Sequence, residues 1–179
     1  MAKHHRHDEF TLHPMAAEFT YDLNQLLAVA HLLTVGDKVG WAENNARVES
    51  FMIRFRTLLE FFYKPANRPT DVRAWEYVKE ADEAKAQARW IKARPEATLV
   101  FGVDEDWLAQ AVIVRVGHAS LDRLYQMTWP AQFMAIGMAR VWAAFLDEAR
   151  DEYRQEFESR MHHVIQVMPE GGLSLEPKP

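Results

Sequence analysis

Apolar residues recur at helical spacing along most of the chain. Phe19, Leu23, Leu26, Ala30 and Leu33 repeat every three or four positions, and Leu27 widens the stripe. Pro14 stands where the first turn of a helix tolerates it, because its missing N–H has no intrahelical partner there, and Gly36 is a natural stop. A second helix is predicted from about Trp41 to Tyr63. Its positions Val48, Phe51, Met52, Phe55, Leu58, Leu59 and Phe62 follow the i, i+3, i+4, i+7 rule, and Lys64-Pro65 ends it. Glu43 precedes Arg47 by one turn, the favourable order for a helical ion pair.

The run Lys64-Pro65-Ala66-Asn67-Arg68-Pro69 reads as a loop, and Thr70 fits an N-cap for a short helix from Asp71 to about Val78. Residues 80–94 are rich in alanine and charge. They predict a peripheral helix with only Trp90 and Ile91 as large anchors, ended by Pro95. The apolar run Thr98–Val103 has no second strand to pair with, so it is expected as an extended connector. Asp104 caps a helix reaching about Gln126, with Trp107, Ala111, Val114, His118, Leu121 and Tyr125 on one stripe. Trp129-Pro130 restarts the chain.

The last helical pattern begins near Ala131 and runs towards Val167. Phe133, Met134, Met138, Val141 and Phe145 make a broad apolar face, and Leu146, Ala149, Tyr153, Phe157, Met161 and Val164 a narrower stripe. About 35 residues would span roughly 50 Å as one helix, longer than a compact domain of this size. Either the helix breaks near residue 150 or its end projects and meets a partner; His163–Met168 also fits a short strand. A projecting stripe flanked by Glu148, Arg150, Glu152, Arg154 and Glu156 predicts a homodimer through the last helix, unless residues 8–20 fold back over it.

The expected fold class is therefore all-α: an up-down bundle of four main helices with a peripheral helical excursion at 70–95. Residues 1–13, polar and histidine-rich, are expected as a flexible arm, 14–168 as a single helical-bundle domain, and 169–179 as a flexible tail. With 179 residues, 49% apolar and 26% charged, the chain has the composition of one globular domain. The absence of cysteine excludes disulfides, thiolate metal sites and cysteine nucleophiles, and fits a cytoplasmic protein. A net charge of −5 argues against a general nucleic-acid coat protein. No apolar run reaches the roughly 18 residues of a membrane span, and MAKHHRHDEF is not a signal peptide, so no membrane partner is expected.

Familiar catalytic patterns are missing. There is no Gly-x-Gly fingerprint, phosphate-cradling Gly-rich loop, Gly-x-Ser-x-Gly elbow, His-Glu-x-x-His or paired Glu-x-x-His. Glu158 and His162 stand one turn apart but fall short of a metal's ligand set, and His4, His5 and His7 belong to the arm, so neither metal nor cofactor is expected. Lys85, Arg89 and Lys92 read as ordinary helix surface behind the acids Glu80, Asp82 and Glu83. Arg47 and Arg54 lie two turns apart on one side of the second helix, and Arg56 stands about a quarter-turn to a half-turn away. They are a candidate ligand-binding set for phosphate or carboxylate, with a solvated helix flank as the plain alternative. Arg115, His118 and Asp122 are the candidate catalytic set. A carboxylate one turn after an imidazole orients it, and an arginine one turn before supplies fixed charge, which suits acid–base cleavage of a phosphodiester. The alternative is a buried histidine on the apolar stripe with a flanking ion pair.

Two segments resemble a known family. One is Asn45-Ala-Arg-Val-Glu-Ser-Phe-Met-Ile-Arg-Phe-Arg-Thr-Leu-Leu-Glu-Phe-Phe-Tyr63, followed by Arg68-Pro-Thr-Asp-Val72; the other is Val116-Gly-His-Ala-Ser-Leu-Asp-Arg-Leu124, with Trp129 after it. Together they are similar to a group of bacterial all-α proteins with a Glu-Ser-Phe-Leu-x-His-x-Arg-x-Leu helix and a later x-His-Leu-Thr-x-x-Arg-Leu segment, itself similar to the HEPN superfamily. The resemblance spans about residues 20–145, with Glu49, Arg56, His118 and Arg123 at matching positions. Arg54 stands where the group has histidine. The HEPN motif places four to six residues between its arginine and histidine, whereas here only Val116 and Gly117 separate Arg115 from His118. The resemblance implies a HEPN-like module acting by protein or nucleic-acid interaction in a stress, defence or toxin–antitoxin setting, with RNA or an antitoxin-like protein as partner. It implies, as alternative, a metal-independent endoribonuclease using Arg115 and His118. A third reading, from the residues alone, is a bundle that binds a small ligand between its aromatic helices.

Overall fold

The computed structural model of the chain describes residues 6–35, 39–110, 131–167 and 173–177. These residues are mostly helical. Helix α1 spans Glu9–Val35, α2 Trp41–Tyr63, α3 Glu83–Ala93, α4 Ala97–Phe101, α5 Ala131–Glu148 and α6 Asp151–Arg160; residues 105–110 are also helical, and Ala74–Tyr77 forms a 3-10 turn. Strands β1 (His163–Val167) and β2 (Leu173–Pro177) pair antiparallel, with Ile165 opposite Leu175.

The start of α1 differs from the expectation. The helix begins at Glu9, and Pro14 lies inside it. Asp8 makes this possible by capping: its Oδ1 accepts from the Thr11 backbone N–H at 3.0 Å and the Thr11 hydroxyl at 2.8 Å. Pro14 faces solvent. From Arg6 onward the expected arm is held on the body of the protein through bonds described below. The tail expectation is likewise corrected at Leu173–Pro177, which pairs with β1.

Helix α2 matches its predicted bounds. Phe51, Met52, Phe55, Leu58, Leu59 and Phe62 are buried, and Phe61 beside them stacks on Phe19 of α1 with ring centroids 3.9 Å apart. Lys64 ends the helix in an extended conformation before Pro65. The last carbonyls of α2 are taken up from outside. Trp90 Nε1 donates to the Phe62 carbonyl at 2.8 Å, and Arg94 donates to those of Phe62 and Tyr63 at 3.1 and 3.0 Å. These bonds fix the peripheral α3 in place: Trp90 is buried, although Ile91, the other predicted anchor, is exposed.

The expected helix at Asp71–Val78 is reduced to one 3-10 turn. The Asp71 carboxylate accepts the backbone N–H groups of Asn67 and Arg68 and so organises the loop before it rather than a helix after it. Desolvation works the other way, but these bonds and the Arg73 guanidinium outweigh it and hold the Asp71 carboxyl below its ordinary pKa. The expected extended connector at 98–103 is also corrected. Residues 97–101 coil as α4, and Gly102 stops the helix in a left-handed conformation (φ 75°), its N–H bonding to the Thr98 carbonyl. The coil places Val100 and Phe101 against α5 at Gly137.

The long last pattern breaks at Ala149–Arg150. Ala149 forms an isolated antiparallel bridge with Val78. Lys79 N–H donates to the Glu148 carbonyl at 3.0 Å and Arg150 N–H to that of Tyr77 at 2.8 Å. Backbone groups committed to this bridge cannot continue the helix. After the break, Tyr153, Phe157 and Met161 are buried within the same chain. Helix α1 covers them: Tyr77 donates its hydroxyl to the Leu12 carbonyl, and Asn24 bonds to the Arg160 carbonyl and the His162 N–H. The stripe expected to join two copies through the last helix is thus closed internally as far as Met161, and the premise of that expectation falls.

The crossing of α4 over α5 is tight. A Cβ on Gly137 would lie 2.5 Å from the Phe101 ring and 2.9 Å from the Val100 carbonyl oxygen. Gly137→Ala is expected to lose about 1–3 kcal/mol of stability, measured by urea unfolding. An unchanged midpoint would show that this crossing has slack.

Candidate functional site

Arg115, His118 and Asp122, the sequence-predicted catalytic set, lie outside the described residues. Arg47, Arg54 and Arg56 are placed, each turned to its own carboxylate. Arg47 bonds Glu43 at 2.6 Å, Arg56 bonds Glu60 at 2.7 Å, and Arg54 reaches Asp22 of α1. The Arg54 guanidinium also lies 5.0 Å over the Tyr21 ring. Burial raises the pKa of the Asp22 carboxyl against the opposing pull of Arg54. The structure does not bring these three arginines together on a common anion position.

What it does bring together is a buried polar cluster with no local signature in the sequence. Glu76, in the 3-10 turn, has no exposed surface. Its Oε1 accepts the Arg73 backbone N–H at 2.8 Å, and its Oε2 accepts the His7 backbone N–H at 2.8 Å. His7 Nδ1 lies 2.7 Å from the same Oε2, and His7 Nε2 lies 2.8 Å from the Pro69 carbonyl oxygen. Both ring nitrogens face acceptors, so the ring satisfies both only when both carry hydrogen. Neither nitrogen is left to exchange a proton with a substrate; the arrangement is a latch.

Around the latch, the Arg6 backbone N–H donates to Glu83 at 2.9 Å and its guanidinium donates to the Glu80 carbonyl at 2.8 Å. Burial, and then the charge of Arg150, hold the Arg6 pKa below its ordinary value. Arg150 donates to the Glu76 carbonyl at 3.3 Å and lies 4.6 Å over the Tyr153 ring. The Nε atoms of Arg6 and Arg150 are buried without a hydrogen-bond partner among the described residues.

A second histidine has a different setting. His13 Nδ1 lies 2.5 Å from Glu156 Oε2, its ring stands 4.8 Å from that of Tyr153, and the ring is about half exposed. Glu156 Oε1 accepts from Arg160 at 3.1 Å. This is an imidazole oriented by a carboxylate with an arginine alongside, the combination sought within one helix at 115–122 but assembled here between α1 and α6. Separated by 143 positions, His13 and Glu156 share no local pattern that could have paired them. Such a ring can give or take a proton at its other nitrogen. Burial pushes Tyr63 and Tyr77 upward in pKa, and their hydroxyls donate to the carbonyls of Pro95 and Leu12.

Among the described residues no group of three or more His, Asp or Glu side chains is placed to hold a metal ion, and no helix is long and apolar enough to cross a membrane. The chain matches no protein-family model, no curated protein and no solved structure.

Removing the buried carboxylate from the latch leaves the Arg73 and His7 backbone N–H groups and His7 Nδ1 without their partner. Glu76→Ala is expected to lose about 3–5 kcal/mol in denaturant unfolding. Arg56→Ala, which breaks only an exposed pair, is expected to stay within about 0.5 kcal/mol of wild type.

Proposed function

We propose that the protein is a HEPN-like helical module, an up-down bundle that works by binding a protein or RNA partner in a cytoplasmic stress, defence or toxin–antitoxin setting. The observation that carries this reading is a set of large apolar side chains left in solvent, Leu99 on α4, Trp107 in helical residues 105–110 and Phe133 on α5. Trp107 and Phe133 bracket, in the chain, the segment 111–130 that holds Arg115, His118, Asp122 and the second stretch of family resemblance. Phe133 precedes Gly137, where α4 crosses, by one helical turn. Ion pairs of Lys64 with Asp106 and of Arg94 with Glu105 stand near Trp107 in sequence. Exposed aromatic groups with charged neighbours are the composition of a binding surface.

Expression of the wild type, of Leu99→Glu combined with Trp107→Ala, and of His118→Ala, with growth and total RNA as readouts, tests the reading. A growth effect is expected from the wild type and lost in the double variant, with cellular RNA intact in all three. Loss of a buried interface tryptophan is worth about 2 kcal/mol, or roughly 30-fold in affinity. RNA cleavage by the wild type that disappears in His118→Ala would replace this reading with the metal-independent endoribonuclease.

A further inference from the structure

Helix α1 is apolar on more than the face it buries. Leu12, Ala16, Phe19, Leu23, Leu26, Leu27 and Ala30 are packed in the core. On the other side Phe10 is 92% exposed, Tyr21 47% and Leu32 43%. These three are spaced by eleven residues, close to three helical turns, so they fall on one line along the helix. Pro14 and Ala28 are exposed on the same line, with Ala17 and Gln25 half-buried between them, and no charged residue interrupts it. A surface helix ordinarily turns a polar face to water.

We infer that this face of α1 is the contact between two copies of the chain, related by a two-fold axis at Tyr21. A two-fold contact requires a surface that complements itself, each position meeting the one equally far on the other side of the axis. The line on α1 has that property. Turned end for end, Phe10 meets Leu32, Pro14 meets Ala28, Ala17 meets Gln25, and Tyr21 meets its own copy. Large groups therefore meet at the ends and small ones between, which allows the two helices to approach closely. Charge agrees with the antiparallel arrangement. The exposed acids Asp8, Glu9 and Glu18 belong to the first half of α1; they swing over the second half of the other copy, where His31 is exposed and no exposed acid stands among residues 23–35. Parallel packing would instead set the acids side by side. At the axis, the Arg54–Asp22 pair and the guanidinium of Arg54 over Tyr21 form a polar border on each side.

The size of the contact sets its strength. Engagement from Phe10 to Leu32 covers roughly 33 Å of helix and buries on the order of 1,000 Å², near the lower limit for a specific interface. A contact of this size belongs with weak, concentration-dependent association. The contact is independent of the function proposed above, because it uses neither Leu99, Trp107 and Phe133 nor the segment 111–130.

The test is the mass of the full chain in solution, read by light scattering and sedimentation at concentrations up to about 100 µM. The expected result is a shift towards about 42 kDa, twice the 20.8 kDa of one chain. Phe10→Glu combined with Tyr21→Glu is expected to weaken association at least 100-fold while leaving the circular dichroism unchanged, since both side chains are exposed. Because the chain has no cysteine, Tyr21→Cys provides a second readout: mild oxidation should give a covalent dimer across the axis, and Ile91→Cys, on exposed α3, should not. A wild type that stays near 21 kDa, a dimer unaffected by the double variant, or equal cross-linking at positions 21 and 91 would each overturn the inference.

Discussion

A carboxylate without exposed surface has to be compensated where it lies, because transfer from water is far more expensive for a charge than for any apolar group. Glu76 is that group in this fold. Two backbone N–H groups and the His7 ring are brought to it, so the chain before α1 must cross the 3-10 turn at Ala74–Tyr77. The Glu76 carbonyl receives Arg150, and the neighbouring Tyr77 carbonyl receives the Arg150 N–H. Through these bonds the turn that carries the buried charge is tied to two distant stretches of sequence, around residues 7 and 150. The break between α5 and α6 follows from the same place, since the bridge of Val78 with Ala149 is what diverts the last helix.

Beneath the latch the core is aromatic. The Phe145 ring lies between 5.1 and 6.0 Å from those of Phe61, Phe62, Tyr77, Trp90, Trp142 and Phe157. These contacts are mostly edge-to-face, the arrangement that aligns the positive rim of one ring with the negative face of another. They draw α2, α3, α5, α6 and the 3-10 turn onto one side chain. The latch joins these stretches of chain, and the ring cluster packs beneath it.

Much of the helix pattern was legible because burial and periodicity coincide there. In α2 nearly every residue of the predicted stripe is in the core, and the break near residue 150 was one of two outcomes that helix length allowed. Legibility failed where backbone groups were claimed by partners far away in sequence. Thr98–Val103 has strand-like composition, yet Gly102 and the space beside Gly137 make it a turn of helix. Thr70 has the chemistry of a cap, but Asp71 took the local N–H groups first. The arginines of α2 lie on one helix as expected, but the partner of Arg54, Asp22 on α1, carries no local signal in the sequence. Glu76 and His13 were invisible as site residues because each is defined by a partner more than sixty positions away.

The closure of α1 over α6 also fixes an order of events during synthesis. Leu12 and His13 are made well before their partners: Glu156 on α6, and the packing of the Tyr77 ring against Tyr153 and Phe157, become available only after residue 150 has emerged. Helices α1 and α2 can form and pack early, since their pairing is local. Until α6 arrives, however, the nascent chain displays the apolar side of α1 that the mature protein hides. Contacts of such wide sequence separation slow folding and prolong the life of exposed intermediates. Formation of α6 is therefore the step that completes the burial of the first half of α1.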